Sequence, residues 1–304
     1  MDGYIELRTE SMNENKMQKK ALVTGASSGI GLAIAEKLVM EGYEVYGLGR
    51  DFSKSGKNKA DRKLQVDLDL PTDTNLQAGT DLWSDANLQV DTDLRADINY
   101  RSDKLNVDEP HMNTRFHKIT CDLCNTQKLI ETIQSINQDH DISLLINNAG
   151  VGYYGLHEEL NPQKISQMVR TNLEAPMIIT NLLLRDLKKN AGIIVNTSSV
   201  TAGKSNPHGC AYGATKAGLT SFSRSLFDEA RKYGVKVINI EPDMTATNLY
   251  RNADFTADEE VEARLLPEEI ADAVWYAVSQ REGLVVTDIV VKPQLNRIKR
   301  KPVR

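Results

Sequence analysis

Long apolar runs are missing from this chain. No stretch approaches the roughly twenty apolar residues that a membrane helix requires. The N-terminus also lacks the basic and apolar regions of a secretory signal, so neither a membrane span nor a signal peptide is expected. Cysteine is scarce: there are three, an odd number that builds no disulfide framework. A reducing cytoplasm is the simplest home for such a chain. The five histidines cluster neither by number nor by spacing, and no metal centre is expected. Excess positive charge is missing too. Lys and Arg total 37 against 42 Asp and Glu, a net charge of −5, which argues against a nucleic-acid surface. What is present is 304 residues, 40% hydrophobic and 26% charged. That suits a soluble globular protein with one large α/β domain or two small ones.

Residues 1–18 are polar and unpatterned, and they read as a loose leader in which Met12 or Met17 could be the true start. Ordered periodicity begins at Lys20–Thr24, a short apolar run, followed by helical spacing over Ile30–Glu41 and a strand at Glu44–Leu48. The pattern resumes with a strand through Ile119 ending at Cys121, then a helix over Thr126–Asn137. Ile142–Ile146 is a strand without alternation, as expected when both sheet faces are covered. Helices are expected over Pro162–Asn190, Ala211–Lys232 and Pro267–Ser279, and strands over Ile193–Asn196, Val235–Ile240 and Val285–Val291. Strands alternating with helices of this length imply a doubly wound parallel α/β sheet, and right-handed crossovers restrict its topology.

Residues 60–110 break this order, with twelve acids against five bases. Thr72–Leu82 repeats as Ser84–Leu94, and Leu64–Leu70 matches Leu88–Leu94. Such a repeat could mark a small β-solenoid. The favoured reading is a low-complexity, disordered loop, too poor in aromatics to offset its ordering entropy. The expected organisation is a single domain over 19–293 carrying this insertion, then a basic tail, 294–304, read as a solvated end.

Chemistry concentrates in a few motifs. Thr24-Gly-Ala-Ser-Ser-Gly-Ile-Gly31 lies between a strand and a helix. Glycines there let backbone approach a pyrophosphate, and the helix N-terminus favours negative charge. Gly25, Ser27, Ser28, Gly29, Ile30 and Gly31 are therefore candidate phosphate and cofactor contacts. Tyr212 and Lys216 are four residues apart, so they share one helix face. A free tyrosine titrates near 10, and a neighbouring ammonium favours its phenolate. The pair is thus a candidate proton donor and acceptor. Ser199 is a candidate hydrogen-bonding partner for a substrate oxygen.

Together these motifs resemble the short-chain dehydrogenase/reductase family. The Gly-rich turn has the family's Gly-x3-Gly-x-Gly spacing, and Asn147-Asn-Ala-Gly150 closes the fourth strand. Tyr212-Gly-Ala-Thr-Lys216 matches the Tyr-x-x-x-Lys pair. Ser199 stands at the catalytic serine's distance from Tyr212, and Asn172 matches the asparagine of the long crossover helix. The likeness covers roughly 19–50 and 115–293. It implies a Rossmann-like fold, a homodimer or homotetramer, and a catalytic set in which Tyr212 exchanges the hydroxyl proton and Lys216 tunes it. Ser199 then orients the carbonyl, and Asn172 holds a water of a proton relay. It further implies cofactor contacts at Asp122 and Leu123, at Asn148, Ala149 and Gly150, at Tyr212 and Lys216 themselves, and at Pro242 and Thr247. Asp243 departs from the glycine that the family places after Pro242.

Cofactor choice turns on the end of the second strand. NAD-binding members usually carry an acid there to hold the ribose hydroxyls, whereas this chain has Gly49 followed by Arg50. An arginine attracts a 2′-phosphate that an acid would repel, so NADP(H) is expected over NAD, although Asp51 follows. The implied reaction is carbonyl reduction or alcohol oxidation on a small molecule. Leu266–Tyr276 and Val291-Lys-Pro-Gln are similar to the 3-hydroxy acid dehydrogenase branch, which makes a short hydroxy acid or oxo acid one candidate. A catalytically silent NADP-sensing or scaffold protein is the alternative, disfavoured because Tyr212, Lys216 and Ser199 are all retained. Cys121-Asp-Leu-Cys124 has no second ligand pair, and its cysteines are read as bystanders. His208, near Tyr212, is either a pocket residue or a solvated loop histidine.

Overall fold

The structure is a computed structural model, and it describes residues 19–53 and 114–302. The leader and the 60–110 insertion lie outside the described residues.

Seven parallel strands form the central sheet: β1 (Lys20–Thr24), β2 (Glu44–Gly49), β3 (Phe116–Thr120), β4 (Ile142–Asn147), β5 (Ile193–Thr197), β6 (Lys236–Pro242) and, after a small ribbon, β8 (Asp288–Val291). Their spatial order is β3-β2-β1-β4-β5-β6-β8, the Rossmann-like order with its reversal between β1 and β4. Ligands of such sheets bind beyond the carboxyl ends of the strands at that reversal.

Helices cover both faces. α1 (Gly29–Met40) and α6 (Pro267–Val278) pack on one side around Leu38, Ile146 and Ile270. On the other side lie α2 (Thr126–Asp139), α4 (Ala175–Lys189) and α5 (Cys210–Ala230), around Leu129, Ile179 and Leu226. β4, Ile-Ser-Leu-Leu-Ile-Asn, is buried along nearly its whole length because it has helices above and below.

Three expectations are corrected. The helix expected over Pro162–Asn190 is not uniform. α3 (Pro162–Val169) passes through a π-helical turn, Arg170–Glu174, into α4. Pro176 explains this locally, since it has no N–H to return to the Asn172 carbonyl one turn back. The last core strand begins at Asp288 rather than Val285, where its register against Asn239 starts. The solvated tail is in part a strand: β9 (Ile298–Arg300) pairs antiparallel with β7 (Phe255–Ala257), forming a separate two-stranded ribbon. No helix among the described residues is long and apolar enough to cross a membrane.

Candidate active site

A cleft of about 1210 Å³, counted out to open solvent, runs along the carboxyl ends of the strands from the β1–α1 turn to α5. At its first end the wall is backbone. Gly25 has φ +71°, and a Cβ there would stand 2.8 Å from the Ala149 Cα. At Gly31 a Cβ would lie 2.3 Å from the Gly25 carbonyl oxygen and 2.4 Å from Asn148 Nδ2. Side chains at these two points would fill the cradle or force the turn open.

Thr24 ties the turn to the end of β4. Its hydroxyl accepts from the Asn148 and Ala149 amides at 3.0 Å each, and its carbonyl accepts from Asn148 Nδ2 at 3.2 Å. Ser28 sits in extended backbone at the N-cap of α1 without a side-chain capping bond. The first turn of α1 therefore brings amide donors and the positive end of the helix to the cleft.

The β2 end limits which side chains fit at that point of the cleft. A Cβ on Gly49 would meet Ser27 Cβ at 2.8 Å and the Phe52 ring at 2.9 Å, so an acid does not fit there. Arg50 is exposed on the cleft wall. Asp51 is turned into a local cap, accepting from the Ser53 amide at 2.8 Å, and Asp122 likewise accepts from the Cys124 amide at 3.0 Å.

At the other end lie the groups that can move protons. Tyr212 and Lys216 stand on the buried face of α5, 4% and 3% exposed. The Tyr212 hydroxyl is hydrogen-bonded to Ser199, and burial nevertheless pushes its phenol up to about 12. Burial also lowers Lys216 to about 8. Its ammonium donates to the Thr197 carbonyl at 2.7 Å and lies 5.8 Å from the Tyr212 ring centre. Desolvation outweighs the lowering effect of the Ser199 hydrogen bond, and the phenol holds its proton at neutral pH.

Ser199 opens a 3-10 turn and accepts from the Thr201 amide and hydroxyl, at 3.2 and 3.0 Å. Ser198 beside it donates to the Lys216 carbonyl at 3.0 Å, which pins α5 to β5.

Asn172 is fully buried in the π turn. Its amide hydrogens go to the Val151 carbonyl at 2.9 Å and the Thr215 hydroxyl at 3.1 Å, and its Oδ1 accepts from the Val151 amide at 2.8 Å. A Cβ on Gly150 would stand 3.7 Å from both Asn172 Oδ1 and Lys216 Nζ, so the two groups flank the same small space.

Every residue assigned to the site from the sequence lines this cleft except Gly31 and Asn172, which stand directly behind it. Asp243 fits without the left-handed backbone that would favour glycine. Its carboxylate accepts from the Met244 amide at 2.9 Å. Thr247 caps the next 3-10 turn, and a Cβ on Gly29 would stand 3.1 Å from its Cγ2. Cys124 turns its thiol to the Thr171 hydroxyl at 3.3 Å. His208 is exposed, with φ +61°, and its carbonyl accepts from the Gly155 amide at 2.8 Å. Of its two readings the solvated loop residue is the one realised.

Missed from the sequence were Thr215, Thr197 and an aromatic group of Tyr154, Tyr250 and Phe255 near Tyr212. The one available signal was Pro176, which marks the π turn and hence Asn172's neighbours.

The model for short chain dehydrogenase matches residues 19–78 and 91–258, and the chain belongs to that family of oxidoreductases. Among curated relatives, a probable NADP-dependent dehydrogenase of Haemophilus influenzae is 27% identical over 90% of this chain and 92% of its own. Serine 3-dehydrogenase of Rhizobium radiobacter is 26% identical over 91% and 94%. An alcohol dehydrogenase from the archaeon Thermococcus sibiricus, solved with 5-hydroxy-NADP, superposes with TM-score 0.67 at 20% identity, covering 92% of this chain and 98% of that one.

Proposed function

We propose that this chain interconverts a small carbonyl compound and its alcohol with NADP(H). The observation that carries the reading is one cleft with both halves in place. At one end Arg50 stands beside a Gly49 that leaves no room for an acid, and at the other Tyr212 is bonded to Ser199. The Gly25 and Gly31 cradle and the first turn of α1 would hold the pyrophosphate. Arg50 would pair with the 2′-phosphate by a charge-assisted bond. Asp122 and Leu123 would border the adenine, and Thr247 the carboxamide.

The cofactor, when bound, supplies or accepts the hydride. The chain's residues do the rest. Ser199 orients the carbonyl oxygen. Tyr212, protonated at neutral pH, donates its proton to that oxygen as the hydroxyl forms, and recovers one by way of Lys216. Asn172 holds the 150–151 backbone and Thr215 around Lys216. Its amide hydrogens are both committed to protein, so a relay water would meet its backbone or the second lone pair of Oδ1. In the oxidative direction each proton moves the other way.

A short hydroxy acid or its oxo acid is the first substrate class to try, given the sequence of the C-terminal part and the serine 3-dehydrogenase among the relatives. The same reading takes the protein as a cytoplasmic homodimer or homotetramer. Exposed Tyr276 on α6 and Val290 on the edge strand β8 support assembly.

The test is a panel of oxo acids, aldehydes and ketones with NADPH and with NADH, following loss of reduced-cofactor absorbance. Turnover with NADPH on at least one class is expected. Preference for NADH, or no turnover on any class, would overturn the reading.

A further inference from the structure

We propose that the C-terminal strand β9, acting through Lys301, is a substrate-positioning element that holds the aromatic wall beside Tyr212 in place. This rests on the reading of Tyr212 as the reacting group. The wall consists of Tyr154, Tyr250 and Phe255. Tyr154 lies 5.6 Å from Tyr212, centre to centre, and 5.1 Å from Phe255, and Tyr250 lies 5.5 Å from Phe255. Tyr250 is buried and lines the cleft, together with its neighbours Leu249 and Arg251. Of the three rings, Tyr250 faces the cleft that Tyr212 also lines.

Thr247 caps the start of this segment, but the elements that carry the rings are short. Tyr250 sits on a five-residue 3-10 turn, Asn248–Asn252, and Phe255 on the three-residue strand β7. β7 is outside the main sheet, and its pairing partner is β9. A ribbon of two strands this short is marginal alone. Lys301 supplies what the ribbon lacks. Its ammonium donates to the Tyr250 carbonyl at 2.6 Å and the Ala253 carbonyl at 2.9 Å, with the Arg251 carbonyl at 3.4 Å, and its amide donates to Asp254 O at 2.7 Å. A helical turn ends with carbonyls that need donors, and an ammonium offers three from one point. Its charge also suits the negative end of the turn. One cation thus clasps the backbone of the residue whose ring lines the pocket.

The other tail contacts differ in kind. Arg297–Glu260 and Lys299–Glu259, each 2.6 Å, are exposed ion pairs that solvent screens, while the Leu295 amide bonds to the Glu262 carbonyl at 2.8 Å. They keep the tail near loop 258–262, but they do not touch the turn that carries Tyr250.

The experiment compares the full-length chain with Lys301→Met, Lys301→Arg and Lys299→Ala. Amide exchange is read by mass spectrometry over 248–256, NADPH affinity by fluorescence, and steady-state kinetics on the best carbonyl substrate found. Lys301→Met keeps the apolar stem and loses the donors. It is expected to speed exchange over 248–256 at least tenfold while the β1 and β4 amides keep their protection. KM should rise fivefold or more, with kcat within threefold and NADPH affinity within twofold. Lys301→Arg should restore most of the KM, and Lys299→Ala should shift it less than twofold. Unchanged exchange in Lys301→Met would overturn the clasp. A rise in KM matched by an equal loss of NADPH affinity would overturn the assignment to the substrate side. Failure of the wild-type chain to turn over any carbonyl would sink the reading of Tyr212, and with it the substrate role, whereas the exchange result would still decide the clasp.

Discussion

At one end of the cleft the wall is main chain, drawn together by missing Cβ atoms at Gly25, Gly31 and Gly49. At the other end it is side chains: the Tyr212–Ser199 bond, the Lys216 ammonium on the Thr197 carbonyl, and the Tyr250 ring with Tyr154 and Phe255 packed against it. The first end comes from one strand–turn–helix and the strand ends beside it, all on the rigid sheet. The second is assembled from a π turn, a 3-10 turn, the start of α5 and a tail ribbon. Backbone cradles recognise what every dinucleotide shares, namely phosphate. Assembled side chains recognise what differs between substrates. On the proposed reading, the common part of the ligand would be met by the part of the fold with least freedom to vary.

The sharpest break in this comparison should come from Tyr212→Phe. Removing the hydroxyl while keeping the ring should lower kcat by about a hundredfold or more and leave NADPH affinity within a few-fold. Retention of more than a tenth of the wild-type rate would show that Tyr212 is not the acid-base. Arg50→Ala attacks the opposite end, where a charge-assisted contact contributes about 1.5–3 kcal/mol, roughly ten- to hundredfold. NADPH affinity should fall by that factor with NADH affinity nearly unmoved, and equal losses would remove the phosphate contact.

Gly31→Ala tests the cradle itself. The new methyl meets the Gly25 carbonyl, and overpacking of this kind costs roughly 1–3 kcal/mol of stability. Denaturant unfolding and NADPH titration should both register the change. Unaltered affinity for both cofactors would mean the turn has slack.

The smallest effect concerns pH. Lys216 titrates at about 8 in the fold and near 10.4 unfolded, so between those values the unfolded chain binds more protons. Stability from this group therefore rises with pH across that window and is lowest below it. Against Lys216→Met, the wild type should gain on the order of 1–2 kcal/mol between pH 7.5 and 9.5, measured by chemical unfolding. A constant difference would mean that Lys216 titrates normally.

The same contrast explains what was legible beforehand. The Gly-rich turn, the Asn147–Gly150 strand end and the Tyr212–Lys216 spacing are local patterns whose geometry follows from neighbours in sequence. Alternation and handedness restrict the strand order to a few choices. Four things were hidden for physical reasons. The π turn lies within continuous helical periodicity, and only Pro176 hints at the slip. β9 is three residues of basic sequence whose partner, β7, lies some forty residues away, so only tertiary pairing defines it. The upward shift of Tyr212 depends on burial, which spacing does not disclose. The Tyr154, Tyr250 and Phe255 group meets from separate loops.

The π turn carries one more implication. It puts one surplus residue into a helical rod that otherwise keeps regular register from Pro162 to Lys189. Each residue rotates a helix by about 100°. Deleting one position between 170 and 174 would leave Pro176 inside a continuous helix, with no N–H to give and its ring against the carbonyl four residues back. It would also swing everything on one side of the deletion through that angle, taking Asn172 off Val151 and Thr215 or unseating Ile179 and Leu183 from the core. A single-residue deletion here is thus expected to cost stability, because the irregular helix is what keeps the two halves in phase with their different neighbours.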